Sequence, residues 1–239
     1  NKPTGMLSQK SRPEDFSLNE YVITYLLQKG ELTEEELVSF RPSICNRLDR
    51  NTSGIVAAGK TLKGLQQLSK MFRSRTMEKY YLTIVAGQIT EATYIHGYLK
   101  KNEETNKVMV KKVPFEDALE IETAYRPLAH TRTCTLLEVH LITGRTHQIR
   151  AHLASEKHPI IGDTKYGSQE LNMQMKKKYH LSSQLLHAWR MYFPHTEDAL
   201  SGLCGKTIYA PIPEKFNKII KGEGILWEHG TQEALEVLH

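Results

Sequence analysis

Along the 239 residues, apolar positions recur first at helical and then at strand spacing. Phe16 to Leu27 carries apolar side chains three and four apart and stops near Gly30, which predicts an amphipathic helix. Thr33-Glu34-Glu35-Glu36-Leu37 predicts a short second helix before Pro42. The uninterrupted run Ile55-Val56-Ala57-Ala58 predicts a short buried strand. Thr61 is a suitable cap for a helix with Leu62, Leu65, Leu68 and Phe72 on one face, ending in the basic cluster Arg73, Arg75 and Lys79. Those cations are either a solvated helix end or contacts for phosphate.

Tyr80 to Ala86, closed by Gly87, predicts a central strand. Residues 90 to 127 read as strands and hairpins, with a turn at Glu103-Glu104-Thr105-Asn106-Lys107. Cys134 to Ile142 nearly alternates, as a half-buried strand does. Helical spacing returns through Ile149, His152 and Leu153, and β-like runs follow at Leu185 to Phe193 and Lys206 to Tyr209. Strands outnumber the connections that can serve as regular crossovers. The predicted class is therefore α+β, a mixed, mainly antiparallel sheet flanked by helices, in a single domain over residues 1–239. Asn1-Lys2-Pro3-Thr4-Gly5 reads as the end of a strand whose earlier residues precede this sequence.

Composition narrows the partners. Thirty-two Lys and Arg against 27 Asp and Glu leave a net charge of +5, a mild excess that favours polyanions without naming one. Cys45, Cys134 and Cys204 are odd in number and lack any Cys-x-x-Cys spacing, which points away from a disulfide framework or zinc ribbon and toward a reducing cytoplasm. No apolar run approaches the ~18 residues that span a bilayer, and no signal peptide opens the chain. A soluble, cytoplasmic protein with no membrane partner is expected.

Candidate chemistry concentrates at Arg47-Leu48-Asp49-Arg50, one carboxylate between two guanidinium groups in a segment rich in turn formers. Nearby positive charge favours the ionised form, which suits a nucleophile or general base. The same residues also suit a salt-bridged surface loop. Thr143-Gly144-Arg145 lies where a strand gives way to a helix, a junction suited to an anion. Arg145 there can pair with a phosphate, orient a carboxylate, or simply open the helix.

His147 and His152 are five apart, about 140° around an α-helix, unlike the i, i+4 pairs that bind zinc. With only His158 and His187 as loose extras, no metal site is expected. Thr4-Gly5 and Thr143-Gly144 are too sparse in glycine for a phosphate loop or dinucleotide fingerprint, so no nucleotide cofactor is implied. Ser53-Gly54 lacks the Gly-x-Ser-x-Gly elbow of a serine nucleophile.

Arg47-Leu48-Asp49-Arg50-Asn51-Thr52-Ser53-Gly54 resembles the active-site signature of the RluA-type RNA pseudouridine synthases. Further blocks fit that family in the same order: Asn1 to Gly5, Lys79-Tyr80-Tyr81-Leu82, Thr143 to His152, His158 to Asp163, and Leu185 to Ala188. Together they span nearly the whole chain. The resemblance implies isomerisation of uridine to pseudouridine in structured RNA, ribosomal RNA of the large subunit first and transfer RNA second, without metal or cofactor. Asp49 becomes the essential carboxylate, attacking the anomeric carbon or abstracting a sugar proton to give a glycal.

Tyr81 matches the family's active-site tyrosine. Tyr80 competes with it, and strand alternation sends the two rings to opposite faces. Arg145 matches the basic residue that pairs with the aspartate. Arg47 matches a position that contacts RNA and helps turn the target nucleotide out of its stack. Arg50, Thr52, Ser53, Gly54, Thr143, Gly144, Thr146, His147, Gln148 and Arg150 complete the expected RNA and substrate contacts.

Asn46 stands where many relatives have His, and an amide does not titrate near neutrality. Several members carry a small RNA-binding domain upstream, and none is visible in this sequence. A monomer is expected. The competing reading is an RNA-binding or RNA-folding protein on the same scaffold with little catalysis, which the intact Asp49, Tyr81 and Arg145 set opposes. A glycosidase with paired carboxylates is weaker still, because the signature supplies no second acid beside Asp49.

Overall fold

In the computed structural model, which describes residues 1–196 and 198–227, helix α1 (Leu18–Gln28) opens at a reciprocal capping box. The Ser17 hydroxyl accepts from the Asn19 N–H, and the Glu20 carboxylate accepts from the Ser17 N–H. Ile23 and Leu26 face inward and are buried with Leu32. Thr33 and Glu36 make a similar exchange at the start of the short helix α2 (Glu36–Ser39).

Strands β1 (Ser43–Ile44), β2 (Ser53–Gly54) and β3 (Ala58–Gly59) follow, with β1 and β3 paired antiparallel around the Asp49 loop. Helix α3 (Leu62–Ser74) is capped by Thr61, whose hydroxyl accepts from the Gly64 N–H, and ends at Arg75 in the left-handed region. These elements belong to the first of two compact units, Asn1–Glu78 with Met191–Ile208. Lys79–Arg190 and the described residues from Tyr209 onward form the second.

The expected strand at Ile55 to Ala58 is corrected here: Ile55, Val56 and Ala57 lie between β2 and β3 and are only half-buried. The Asn46 amide takes backbone groups that a ladder would have used, donating to Ile55 O and accepting from the Ala57 N–H. Ile55 and Ala57 then turn into an apolar cluster with Leu68, Met77, Met191, Phe193 and Leu200.

The main sheet, most of it in the second unit, comprises β4 (Glu78–Ala86), β5 (Thr93–Asn102), β6 (Lys107–Lys111), β7 (Leu119–His130), β8 (Cys134–Leu141), β9 (Leu186–Tyr192) and β10 (Thr207–Tyr209). Its order is β10-β9-β4-β8-β7-β5-β6, and the β4–β8, β8–β7, β7–β5 and β5–β6 pairings are antiparallel. Helices α4 (Gln148–Ser155), α5 (Gln169–Tyr179) and α6 (Glu214–Gly222) complete an α+β fold. Pro127, which has no N–H for a ladder, sits at the register shift between β7 and β8.

Alternation assigns the two faces. Leu82 and Ile84 of β4 join Cys134, Leu136, Met175, Tyr179, Phe216 and Ile219 under α5 and α6, with Tyr80 packed at the edge of that cluster. Lys79, Tyr81, Thr83 and Val85 point the other way. The register continues that second face through Val139, Tyr125 and Ile121. Ala151 of α4 packs there with Leu99, Val108 and Ile121.

One expectation changes in this unit. Cys134 to Val139 is buried on both faces, not half-buried, with Cys134 and Leu136 covered by the cluster under α5 and α6. Helix α5 carries little pattern, with only Leu171, Met175 and Tyr179 inward among lysines and glutamines, whereas α6 buries Phe216, Ile219 and Ile220 at helical spacing.

Candidate active site

Asp49 sits at the first position of a turn in which the Thr52 N–H donates to Asp49 O at 3.0 Å. The loop is anchored on the N-terminal segment at three points. Lys2 and Gly54 exchange both backbone bonds, at 2.7 and 3.0 Å. The Gly5 N–H donates to Arg50 O at 2.9 Å. The buried Ser8 hydroxyl both accepts from Leu48 N–H and donates to Leu48 O. Gly54 has φ of +113°, which a side chain rarely tolerates, so the small residue is needed where the loop meets Lys2.

Lys2 is 0% exposed, a rare state for lysine. Its Nζ donates to Pro3 O, Met6 O and Arg50 O at 3.1, 2.8 and 3.0 Å. Burial pushes the ammonium down to about 8, and the Asp49 carboxylate works in the opposite direction. Lys2 is thus a buried cation that both ties the Asp49 loop and faces its acid. Hydrophobic spacing missed it; its place in the Asn-Lys-Pro block was the available signal.

In the second unit Tyr81 is 6% exposed and lies beside Val139 in the β4–β8 register. Tyr80 takes the opposite face, stacked on His140 at 4.6 Å, with the Arg190 guanidinium 3.4 Å over its ring. Alternation thus divides the pair as expected, with Tyr80 on the core cluster. Lys79 shares the Tyr81 face, and its Nζ lies 3.8 Å from where a Cβ on Gly144 would stand. That lysine, which the sequence places both in a helix-end cluster and in the Lys79-Tyr80-Tyr81-Leu82 block, thus lies beside the turn that carries Arg145.

Gln148 organises this turn. Its Oε1 accepts from the Thr143 hydroxyl at 2.8 Å and the Arg145 N–H at 3.0 Å, while Nε2 donates to Glu122 O and Thr123 Oγ1. Thr143 also accepts from the Glu122 N–H. Gly144 and Arg145 are left exposed and Thr146 half-buried. His147, the residue before α4, has φ of +54° and shares a 2.9 Å bond with the Tyr166 hydroxyl.

Arg150 and Asp163, at 6% and 0% side-chain exposure, form a two-point ion pair of 2.7 and 2.9 Å. Burial works against the Asp163 charge, and Arg150 outweighs it, holding the carboxyl below its usual range. His152 bonds through Nδ1 to Thr123 Oγ1 at 3.0 Å.

Within the first unit the structure brings together Arg47, Asp49, Arg50, Thr52, Ser53 and Gly54. Thr52, Ser53 and Gly54 are buried, Asp49 half-buried, and Arg47 and Arg50 exposed. Arg50 donates through Nε to Gly5 O. Within the second unit it brings together Thr143, Gly144, Arg145, Thr146, His147, Gln148 and Arg150. Tyr81 is on the strand face adjoining them.

The model of the RNA pseudouridylate synthase family matches residues 1–155. This chain belongs to the RNA pseudouridylate synthase family. It is 32% identical to tRNA pseudouridine synthase C of Vibrio cholerae over 98% of this chain and 93% of that protein. It is 33% identical to a ribosomal large subunit pseudouridine synthase C of Pasteurella multocida over 78% of this chain and 57% of that one.

An uncharacterised RNA pseudouridine synthase of Mycoplasma genitalium is 33% identical, and the chain spans 60% of its length. Among solved structures, the human RNA pseudouridylate synthase domain containing 4 superposes with a TM-score of 0.73 over 94% of this chain and 88% of that one. At 21% identity that likeness concerns the fold. The synthase family and fold class expected from the sequence blocks are both met.

Proposed function

We propose that this RNA pseudouridylate synthase isomerises uridine to pseudouridine in structured RNA, with Asp49 as the essential carboxylate. The reaction breaks the N1–C1′ bond of uridine, holds the freed uracil while it turns, and joins C1′ to C5. The C5 proton leaves, and N1 regains one. No redox equivalent or phosphoryl donor enters this balance. Asp49 either adds to C1′ or removes a ribose proton, and both routes use the ionised acid. The observation that carries the reading is the fixed Asp49 turn, pinned at Leu48, Arg50 and Gly54 and opposed by the Lys2 ammonium, inside the family's signature.

Tyr81 serves as the residue against the target base and Arg145 as the cation that orients the acid. Arg47, Arg50, Thr52 and Ser53 meet RNA around the Asp49 turn. Thr143, Gly144, Thr146 and His147 do so around Arg145. The buried bonds of Gln148 and Arg150 support positioning roles for these two: they hold the turn and α4 in place for their neighbours. Large-subunit ribosomal RNA is the first substrate class and transfer RNA the second, consistent with the names of relatives on both sides. The protein acts in the cytoplasm as a monomer.

The test is release of tritium from RNA labelled at uridine C5. Asp49→Asn removes one charge and little volume, so it is expected to abolish release while RNA affinity stays within a few-fold. A near wild-type rate from this variant would overturn the assignment of Asp49. Binding by the wild type without any release would instead favour an RNA-folding role.

A further inference from the structure

Between Asp49 and Glu78 the sequence carries six cations, Arg50, Lys60, Lys63, Lys70, Arg73 and Arg75, and no acid. Most of them lie on or beside α3, which is attached to the Asp49 loop on its inner side. Leu68, with Met71 and Phe72 at its edge, packs in one cluster with Cys45, Ile55 and Ala57, which flank that loop. The backbone of Leu65 comes within 2.4 Å of where a Cβ on Gly59 would stand, so the end of β3 and α3 touch at a position only glycine allows.

The outer side of α3 is different. Lys63, Gln66, Lys70 and Arg73 are exposed and recur at three, four and three residues, one stripe of the helix. A groove of about 400 Å³ runs along it, lined by Leu65, Gln66, Ser69, Lys70 and Arg73. Lys60 pairs with Glu31 at 2.6 Å and Lys63 with Asp198 at 3.6 Å. Lys70, Arg73 and Arg75 have no carboxylate partner among the described residues. Cations in the last turn offset the partial negative charge of a helix end, which accounts for Arg73 and Arg75. It does not account for Lys63 and Lys70 farther back.

We propose that this outer face of α3 is a track for RNA phosphates flanking the reactive nucleotide. The inference rests on the synthase reading above and adds where the rest of the RNA runs. From Lys63 to Arg73 the stripe covers about 15 Å, long enough to meet more than one phosphate of a strand. Ser69 and Gln66 add neutral donors between the charges. The stripe itself carries no aromatic residue and no carboxylate, and its charges are all of one sign, which favours a polyanion over a folded protein partner.

The experiment compares wild type, Lys70→Gln/Arg73→Gln, and the charge-keeping Lys70→Arg/Arg73→Lys. The probes are deproteinised large-subunit ribosomal RNA and total transfer RNA from cells lacking the gene. Binding is read as log Kobs against log salt, and tritium release is measured on the same RNA. The neutral double variant is expected to flatten the slope by about 1.4 to 1.8, the loss of two phosphate contacts, and to weaken binding at least tenfold at moderate salt.

The charge-keeping variant is expected to retain the slope. Single-turnover release at saturating RNA is expected to stay within twofold of wild type in both. An unchanged slope in the neutral variant overturns the track, as does equal flattening in the charge-keeping one. Poly-glutamate competing as well as RNA would reassign the face to an acidic protein and overturn it too. Wild-type release failing on every RNA would strike the synthase reading instead, independently of the slope.

Discussion

At Lys2 an ammonium group has been taken out of water, and the loss is offset by three backbone carbonyls and the Asp49 carboxylate. Lys2→Met keeps the length of the side chain but strands those carbonyls. It is expected to destabilise the first unit by on the order of 3 kcal/mol and to lower single-turnover isomerisation, because the Asp49 turn loses its tie at Arg50. Chemical denaturation and tritium release check the two effects, and unchanged values would remove the clamp from Lys2. Asn46 illustrates a departure that reads differently once folded. The amide braces Ile55 and Ala57, so the missing imidazole of many relatives is replaced by a fixed hydrogen-bonding bracket for the same loop.

Among the elements, α4 depends most on polar burial. Its residues from Gln148 to Leu153 are all buried, and Gln148, Arg150 and His152 each have a polar partner inside the unit. Arg150→Met leaves the Asp163 carboxylate buried and uncompensated and is expected to cost about 3–5 kcal/mol. Arg150→Met/Asp163→Leu is expected to recover part of that loss. Urea midpoints of the single and double variants check both, and equal destabilisation by the two would show that packing, not charge, governs the site.

The start of α4 was legible from the Thr-Gly-Arg-Thr block and the spacing of Ile149, His152 and Leu153. Its anchoring was not, because Arg150 and Asp163 are 13 residues apart and only the tertiary path sets them face to face. Helix α5 escaped for a simpler reason: three inward side chains among many polar ones leave a thin stripe.

Between about pH 6.5 and 4 the molecule's response to acid is led by two buried imidazoles. Burial pushes His152 and His187 each down to about 4, from an ordinary value near 6.5. Between those values the unfolded chain binds more protons than the folded one. Stability is therefore complete above about pH 6.5 and declines as pH falls toward 4, by on the order of 3 kcal/mol for each group. Urea unfolding at pH 7 and pH 4.5 measures the decline, and His152→Asn, which can keep a bond to Thr123, is expected to make it shallower. An equal decline in that variant would assign the acid sensitivity elsewhere.

The sequence alone determined most of the elements up to α4, the Thr61 cap, the Tyr80 and Tyr81 division and the synthase signature around Asp49. Each is a local matter of periodicity, turn chemistry or side-chain order over a few residues. Tertiary structure alone decided that Lys2 is buried against the Asp49 loop, that Gln148 spans from Arg145 to Glu122, and that the run after Gly54 serves packing and not a ladder. Those outcomes require strand register and helix docking to bring distant residues together, and no spacing along the chain encodes a partner that far away.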